Sequence, residues 1–118
     1  MARLETITRG ATFPLFYVHQ EDCKVYTGDD LTVFFTVKTV EWDTVMDDST
    51  AIIKSQSSTP DNDHTYDLSL SASQTSTPEP GSYFWDIRVR YPGGRIFKTI
   101  GGSVDIIGSP TNRSLTHD

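Results

Sequence analysis

Apolar and polar side chains alternate along Ser82-Tyr83-Phe84-Trp85-Asp86-Ile87-Arg88-Val89-Arg90-Tyr91. An extended chain places successive side chains on opposite faces, so this period of two predicts a strand with one buried face. Prolines in the segment 78–81 end any earlier ladder, and Pro92-Gly93-Gly94 predicts a turn. The segment 95–100 is therefore predicted to return as the second arm of a hairpin. The core residues expected in this strand are Tyr83, Trp85, Ile87 and Val89.

The same alternation occurs along Leu31-Thr32-Val33-Phe34-Phe35-Thr36-Val37-Lys38, which is rich in β-branched and aromatic residues. Its expected core residues are Leu31, Val33, Phe35 and Val37. Shorter strands are predicted at 5–8, 12–18, 50–56, 65–70 and 103–107. About eight short strands separated by turn signals, without a convincing helix, indicate an all-β sandwich or barrel.

The chain has the length of one domain, with 118 residues. We expect residues 1–108 to form it, with irregular segments at 41–49, 57–63 and 71–81. The segment 109–118 is polar and has too few apolar side chains to pack on a core. We expect this tail to be flexible or to dock on a partner. Its candidate interface residues are Pro110, Asn112 and Arg113.

Composition narrows the function classes. With a net charge of -6 and a pI of about 4.8, the protein is negatively charged at pH 7 and is repelled by phosphate backbones. Direct binding to nucleic acid is therefore not expected. A mean hydropathy of -0.38 and the lack of a long apolar run give no reason to expect a membrane partner. The N-terminal residues lack a secretory apolar run, and Cys23 is the only cysteine. These features favour a protein that folds in a reducing cytosol.

The most reactive side chain in the sequence is the thiol of Cys23, which follows His19 by four residues. A cysteine nucleophile needs a base within hydrogen-bond reach and a third group that orients the base. Because Glu21, Asp22 and Lys24 surround the thiol in a predicted loop, we interpret Cys23 as an exposed thiol on a turn. No enzymatic activity is expected.

A calcium loop is suggested by Asp61-Asn62-Asp63, but the positions that require glycine and glutamate hold Tyr66 and Ala72. An EF-hand is therefore excluded. A looser site on Asp61, Asp63 and Asp67, or on the Asp47-Asp48 pair, remains an alternative to ordinary turn chemistry. The three histidines share no zinc spacing, and no cofactor is expected.

Two aromatic side chains, Phe34 and Phe84, lie on strand faces that are otherwise polar. In one sheet they would form a shared apolar patch of the kind found at protein interfaces, unless loops or the first strand cover them. Four of the ten cations are also close in sequence: Arg88, Arg90, Arg95 and Lys98. They are expected either to pair across strands with Asp86 or Asp105 or to dock on an acidic partner.

Several motifs recur in a recognisable order: Ile7-Thr8-Arg9-Gly10, Tyr26-Thr27-Gly28, Tyr66-Asp67-Leu68-Ser69-Leu70-Ser71, Pro80-Gly81-Ser82-Tyr83-Phe84-Trp85-Asp86-Ile87 and Gly101-Gly102-Ser103-Val104-Asp105-Ile106. Over residues 4–107 the chain resembles the immunoglobulin-like N-terminal domain of phage baseplate upper proteins and related short tailed-phage structural proteins. It departs from that pattern at Ala11, where an acidic residue is frequent, in the acidic segment around Trp42, and in the tail.

The resemblance implies an immunoglobulin-like antiparallel β-sandwich of about seven or eight strands. It also implies a non-enzymatic virion protein of the baseplate, tail, neck or capsid surface, present in the host cytoplasm during assembly. The implied partners are other virion structural proteins, and a homo-oligomer is possible. The resemblance gives no reason to expect a receptor-binding activity.

A carbohydrate-binding or adhesive module is the alternative function. Flat stacking surfaces would come from aromatic side chains next to Asp and Asn: Tyr17, Tyr26, Trp42 and Tyr91. The orientation and burial of the rings decide between this function and protein docking.

Overall fold

The fold is mostly β, and a computed structural model describes residues 2–3, 6–40 and 49–108. The strands are β1 (Ala2–Arg3), β2 (Ile7–Thr8), β3 (Phe16–Val18), β4 (Gln20–Glu21), β5 (Lys24–Val25), β6 (Thr32–Lys38), β7 (Ile53–Ser57), β8 (Thr65–Asp67), β9 (Gly81–Arg90) and β10 (Ile96–Ile107). A four-residue helix, α1 (Ala72–Thr75), lies between β8 and β9. Among the described residues, no helix has the length and apolar content needed to cross a bilayer.

The strands form one large sheet and two small ones, which together make a curled half-barrel. The large sheet has the order β1-β10-β9-β6-β7, and β2 also pairs with β10. Both N-terminal strands run parallel to β10, whereas the pairs β10-β9, β9-β6 and β6-β7 are antiparallel. The small sheets are β3-β8 and the hairpin β4-β5.

The core lies under the large sheet and is built from alternate residues of β6 and β9. All eight side chains expected there are buried. They pack with apolar residues from the other strands and connections, namely Ile7, Ile53, Tyr66, Leu68, Leu70, Val104 and Ile106. In its interior Trp85 Nε1 donates a 3.1 Å hydrogen bond to the carbonyl of Ser103, and its ring centroid lies 6.1 Å from that of Phe35.

One long strand replaces the two strands predicted at 95–100 and 103–107. Gly101 and Gly102, which lie between the two predicted strands, continue the ladder, with Gly101 opposite Asp86 and Gly102 opposite Trp85. The irregularity falls earlier, as a β-bulge between Lys98 and Ile100. The two-strand prediction was wrong because ladder pairing along β9 outweighs the low strand propensity of glycine.

A loop was predicted at 71–81, but residues 72–75 form the helix α1. Its first turn is closed by a capping box, in which Ser71 Oγ accepts from the Gln74 amide and Gln74 Oε1 accepts from the Ser71 amide. The other short strands are shorter than predicted. For example, in the predicted strand 12–18 only Phe16–Val18 is a strand, preceded by an isolated bridge between Phe13 and Leu70. Pro14 has no amide hydrogen to continue that ladder.

Two predicted segments lie wholly or largely outside the described residues. The irregular segment 41–49 is described only at Ser49, so the alternatives that involve Trp42 and the Asp47-Asp48 pair fall outside the description. The tail 109–118, with Pro110, Asn112 and Arg113, also lies outside it.

Candidate functional site

The first half of β10 forms one edge of the large sheet, and β7 lies at the other end of the strand order. On one side β10 pairs with β9 along almost its whole length. On the other side β1 pairs with Gly102 and Ser103, and β2 pairs with Ile106 and Ile107. Within the described part of the chain, residues 96–101 therefore have a strand on one side only. We call this segment the open edge.

The open edge carries exposed apolar side chains. The exposed fractions are 52% for Ile96, 46% for Phe97 and 42% for Ile100. Ile96 pairs with Arg90 and Phe97 with the buried Val89, so the two side chains point to opposite faces of the sheet. Exposed apolar side chains beside an unpaired edge of a strand are typical of surfaces that bind another chain.

The bulge at Thr99 limits how far a straight ladder can extend along the open edge. Thr99 Oγ1 donates a 3.3 Å hydrogen bond to the carbonyl of Ile87. This bond holds the bulge against β9. The regular part of the open edge that precedes it is short and comprises residues 96–98.

The cations near this edge are arranged in two ways. Arg88 Nε lies 3.3 Å from Asp86 Oδ2, so this ion pair forms along β9 and is not the cross-strand pairing that was predicted. Asp105, the other predicted partner, accepts a 3.1 Å hydrogen bond from Ser82 Oγ. The remaining arginines stack on aromatic rings, as described below.

Arg90 stacks on Phe34 with its guanidinium carbon 5.2 Å from the ring centroid, and Arg95 stacks on Phe97 at 5.1 Å. Stacking on a ring face neutralises no charge, so both guanidinium groups keep a positive field beside the open edge. Lys98 pairs through its backbone with Arg88, and its side chain lies outside the described part.

Phe34 and Phe84 lie in the same sheet and on the same outer face, and both are half-buried. The register pairs Phe34 with Arg88 and Phe84 with Lys38, which separates the rings by roughly 13 Å along the strands. Between them Thr36 Oγ1 donates a 2.6 Å hydrogen bond to Asp86. The expected continuous apolar patch is therefore interrupted by a polar pair.

A second candidate site surrounds His19, which is 8% exposed at the end of β3. Its Nδ1 lies 2.8 Å from Tyr17 Oη, and its Nε2 lies 2.7 Å from Tyr91 Oη. Tyr91 Oη in turn donates a 2.7 Å hydrogen bond to Glu21 Oε2. The four side chains thus form one hydrogen-bonded chain that links β3, the β4-β5 hairpin and the β9-β10 turn.

The carboxylate fixes the direction of every proton in this chain. An ionised Glu21 can only accept, so the single Tyr91 proton points to it. His19 must therefore donate from Nε2 to Tyr91, and its Nδ1 accepts from Tyr17. Burial lowers the pKa of His19, with a smaller opposing effect from Glu21. Burial and the bond to Glu21 raise the pKa of Tyr91 to about 12, so both groups are neutral at pH 7.

Next to this chain of bonds lies an open cleft of about 470 Å³, which we call the aromatic cleft. Its apolar lining comes from Tyr26, Tyr91 and Phe97, and its charged lining from Glu21, Asp29 and Arg95. The Tyr26 and Tyr91 rings are perpendicular, with centroids 5.7 Å apart and an interplanar angle of 89°. The Phe97 and Tyr91 ring centroids are 5.8 Å apart with an interplanar angle of 84°, so neighbouring rings of the lining are close to perpendicular.

Cys23 is exposed at the tip of the β4-β5 hairpin. Asp22 and Cys23 have φ values of 51° and 64°, which is the left-handed pair that a two-residue type I′ turn requires. His19, the histidine four residues earlier in the sequence, has both ring nitrogens bonded to tyrosines. The thiol and the imidazole are therefore engaged in different local structures.

The acidic side chains considered as calcium ligands stabilise turns. Asp61 Oδ1 accepts from the amides of Asp63 and Thr65, and Asp67 Oδ1 accepts from the amide of Ser69. Hydrogen bonds from Ser69 lower the pKa of Asp67. In the described ranges, no group of three His, Cys, Asp or Glu side chains is placed to hold a metal ion.

The sequence pattern pointed to the three tyrosines near the cleft but missed the residues that complete it. Tyr17, Tyr26 and Tyr91 all contact His19, whereas Trp85 is buried at 5% exposure and offers no stacking surface. Asp29 and Phe97 carried no signal in the sequence, because Asp29 lies in the 26–31 connection and Phe97 in β10, and only the fold places both in the lining of the cleft. The chain matches no protein-family model, no curated protein and no solved structure.

Proposed function

We propose that the chain is a non-enzymatic structural protein of a tailed-phage virion that acts by docking on other virion proteins. It would occupy the virion and, during assembly, the host cytoplasm. The order of sequence motifs supports the phage assignment. The observation that carries the docking function is the open edge of β10, with exposed apolar side chains and stacked arginines beside it.

The immunoglobulin-like form of the fold belongs to this proposal. Two features support it in the strand order: β2 lies parallel on the last strand, and the chain passes from the small sheet at β3 to the large one at β6. It returns from β8 to β9 in the same way. In addition, Tyr83 Oη donates a 2.5 Å hydrogen bond to the carbonyl of Glu79, as in the tyrosine corner of such domains.

The backbone of the open edge can accept a further strand. The Tyr91 amide donates a 2.8 Å hydrogen bond to the carbonyl of Arg95. Bonded and non-bonded pairs alternate in an antiparallel ladder, so the next pair, Arg90 and Ile96, is non-bonded, as is Arg88 with Lys98. The main-chain groups of Ile96 and Lys98 therefore point away from β9. An incoming strand can bond to both.

The side chains around the open edge define the chemistry of the strand that fits. Ile96 and Phe97 present apolar surface on the two faces of the sheet, while Arg90 and Arg95 add positive charge. A short extended segment with alternating apolar and acidic residues complements both features. Because charge also sets the encounter rate, this association is expected to weaken as salt concentration rises.

The docking proposal is tested with a capped peptide of three Val-Glu repeats, and a Val-Lys peptide serves as the charge control. Calorimetry on the full chain is expected to detect the Val-Glu peptide only. Lys98→Pro removes one outward amide and should weaken binding at least about tenfold, whereas Lys98→Ala keeps the amide and should retain most of it. If proline perturbs folding, Ile96→Glu offers a second test, because it places on the open edge a negative charge that repels the acidic peptide.

Equal binding of the two peptides, or equal affinities of Lys98→Pro and Lys98→Ala, would contradict docking at this edge. The virion assignment has a separate test. Density-purified phage particles from a culture that expresses the chain should contain its peptides in stoichiometric amounts by mass spectrometry. Expression in the lysed cells without incorporation into particles would overturn the assignment.

A further inference from the structure

We infer that the aromatic cleft is a receptor site for a neutral saccharide. This goes beyond docking, because the cleft lies between the β4-β5 hairpin, the 26–31 connection and the β9-β10 turn, and of the open edge only Phe97 lines it. Its volume of about 470 Å³ falls within the range of roughly 300 to 1,000 Å³ seen for small-ligand sites. One or two sugar rings fit that space.

The charges of the cleft select the class of ligand. Glu21 and Asp29 place two carboxylates in the lining, and Arg95 places one guanidinium there. A simple anion is repelled by the net negative charge of this lining, and a simple cation can pair with the carboxylates but leaves the donors of Arg95 without an acceptor. A polyhydroxylated neutral ligand satisfies both signs, because its hydroxyl groups donate to the carboxylates and accept from the guanidinium.

The aromatic walls supply the apolar contact that such a ligand needs. The perpendicular rings of Tyr26 and Tyr91 form a corner, and the half-exposed Phe97 continues it. The C–H face of a sugar ring is apolar and packs on surfaces of this kind. Tyr26 Oη makes no hydrogen bond to any residue that the structure describes, and so it remains available to a ligand hydroxyl.

The lining is held in position before a ligand arrives. Tyr91 is fixed by His19 on one side and by Glu21 on the other, over 2.7 Å in each case. Tyr26 packs against Gly28 so closely that a Cβ at residue 28 would lie 2.5 Å from its hydroxyl oxygen. A preorganised lining reduces the entropy lost on binding.

The experiment titrates the full, isotopically labelled chain with a panel of small ligands followed by NMR. Neutral probes are glucose, galactose, N-acetylglucosamine and their disaccharides. Glucuronate serves as the anionic probe, glucosamine as the cationic one and glycine betaine as the zwitterionic one. We expect at least one neutral probe to shift the signals of Tyr26, Tyr91 and Phe97, and the other three classes to bind at least about tenfold more weakly.

Variants locate the site. Asp29→Asn removes a lining carboxylate and should weaken the neutral probe about tenfold, which corresponds to the loss of one charge-assisted hydrogen bond. Asp30→Asn makes the same change at the neighbouring residue, which is not part of the lining, and should change affinity less than twofold. Tyr26→Phe removes only the unpartnered hydroxyl and gives a second test if Asp29→Asn perturbs folding.

Three results would overturn the inference. They are no response to any neutral probe, tighter binding of a charged or zwitterionic probe, and equal losses in Asp29→Asn and Asp30→Asn. Asp29 and Tyr26 lie outside the open edge, so these results would leave peptide docking at β10 unaffected. Loss of peptide binding in Lys98→Pro with intact sugar binding would show that the two sites are independent.

Discussion

Tyr91 donates a 2.7 Å hydrogen bond to Glu21, and the two residues are 70 positions apart in the chain. This bond joins the β9-β10 turn to the β4-β5 hairpin. It also fixes the protonation pattern of His19, because a phenol that donates to a carboxylate must accept from the imidazole. The wall of the aromatic cleft therefore depends on a bond between two connections rather than on the strand ladder.

Replacement of Tyr91 by Phe is expected to destabilise the fold. It leaves the half-buried ring in place but removes the acceptor of the His19 Nε2 proton, and an unpaired buried donor costs about 1–3 kcal/mol. Tyr26→Phe is the matched control, since the hydroxyl it removes has no partner among the described residues, and it should change the free energy of unfolding by less than about 0.5 kcal/mol. Urea denaturation followed by circular dichroism compares the two. Equal effects would contradict the assigned bonds.

The free energy of unfolding is expected to decrease as the pH is lowered, over a pH range set by His19. Burial lowers the pKa of this residue in the folded state, while tyrosines 17, 26 and 91 and the Glu21 carboxylate surround it. The unfolded state takes up the proton at about pH 6.5 and the folded state only at lower pH, so stability is complete above this value and is lost as pH falls below it.

The measurement is the urea midpoint between about pH 7.5 and pH 5.5. His19→Asn should flatten the slope in this interval. His64→Asn is the control, because Asn tolerates the positive φ of 60° at that position and His64 lies in a separate turn. A slope that survives in His19→Asn and disappears in His64→Asn would contradict the assignment.

Thr75 is a fully buried hydroxyl that joins the N-terminal segment to α1. Its Oγ1 accepts a 3.1 Å hydrogen bond from the Gly10 amide and donates a 2.8 Å bond to the carbonyl of Ala11. Thr75→Val keeps the shape of the side chain but leaves the Gly10 amide and the Ala11 carbonyl without this partner. The free energy of unfolding should fall by about 2 kcal/mol or more. Thr77→Val, at an exposed position, should cost less than about 0.5 kcal/mol. Comparable thermal midpoints for the two variants would show that Thr75 acts by packing alone.

The bond from Tyr83 to the carbonyl of Glu79 is expected to stabilise the start of β9. Tyr83→Phe removes the donor from a nearly buried site and should lower the free energy of unfolding by about 1–2 kcal/mol. The exposed neighbour Ser82 provides the control as Ser82→Ala. A neutral Tyr83→Phe would remove the tyrosine corner as support for the immunoglobulin-like fold.

Sequence alternation was sufficient to predict the inward faces of β6 and β9, because a period of two leaves a strong signal in long strands. It failed at Gly101-Gly102, where pairing with β9 overrides local propensity. It also missed α1, which is too short to show a periodic pattern. The capping-box residues Ser71 and Gln74 were the available sequence signal for this helix. The aromatic cleft could not be predicted, since Asp29 and Phe97 are distant in the sequence and line one cleft only in the folded chain.

Amide hydrogen exchange along β10, measured by NMR with and without the Val-Glu peptide, tests the docking proposal most directly. In the free chain the amides of Ile96 and Lys98 should exchange fast, while that of Phe97, which points to β9, should exchange slowly. Peptide binding should protect Ile96 and Lys98 and leave Phe97 unchanged. Slow exchange of all three amides in the free chain, or protection by the peptide confined to other strands, would contradict the account.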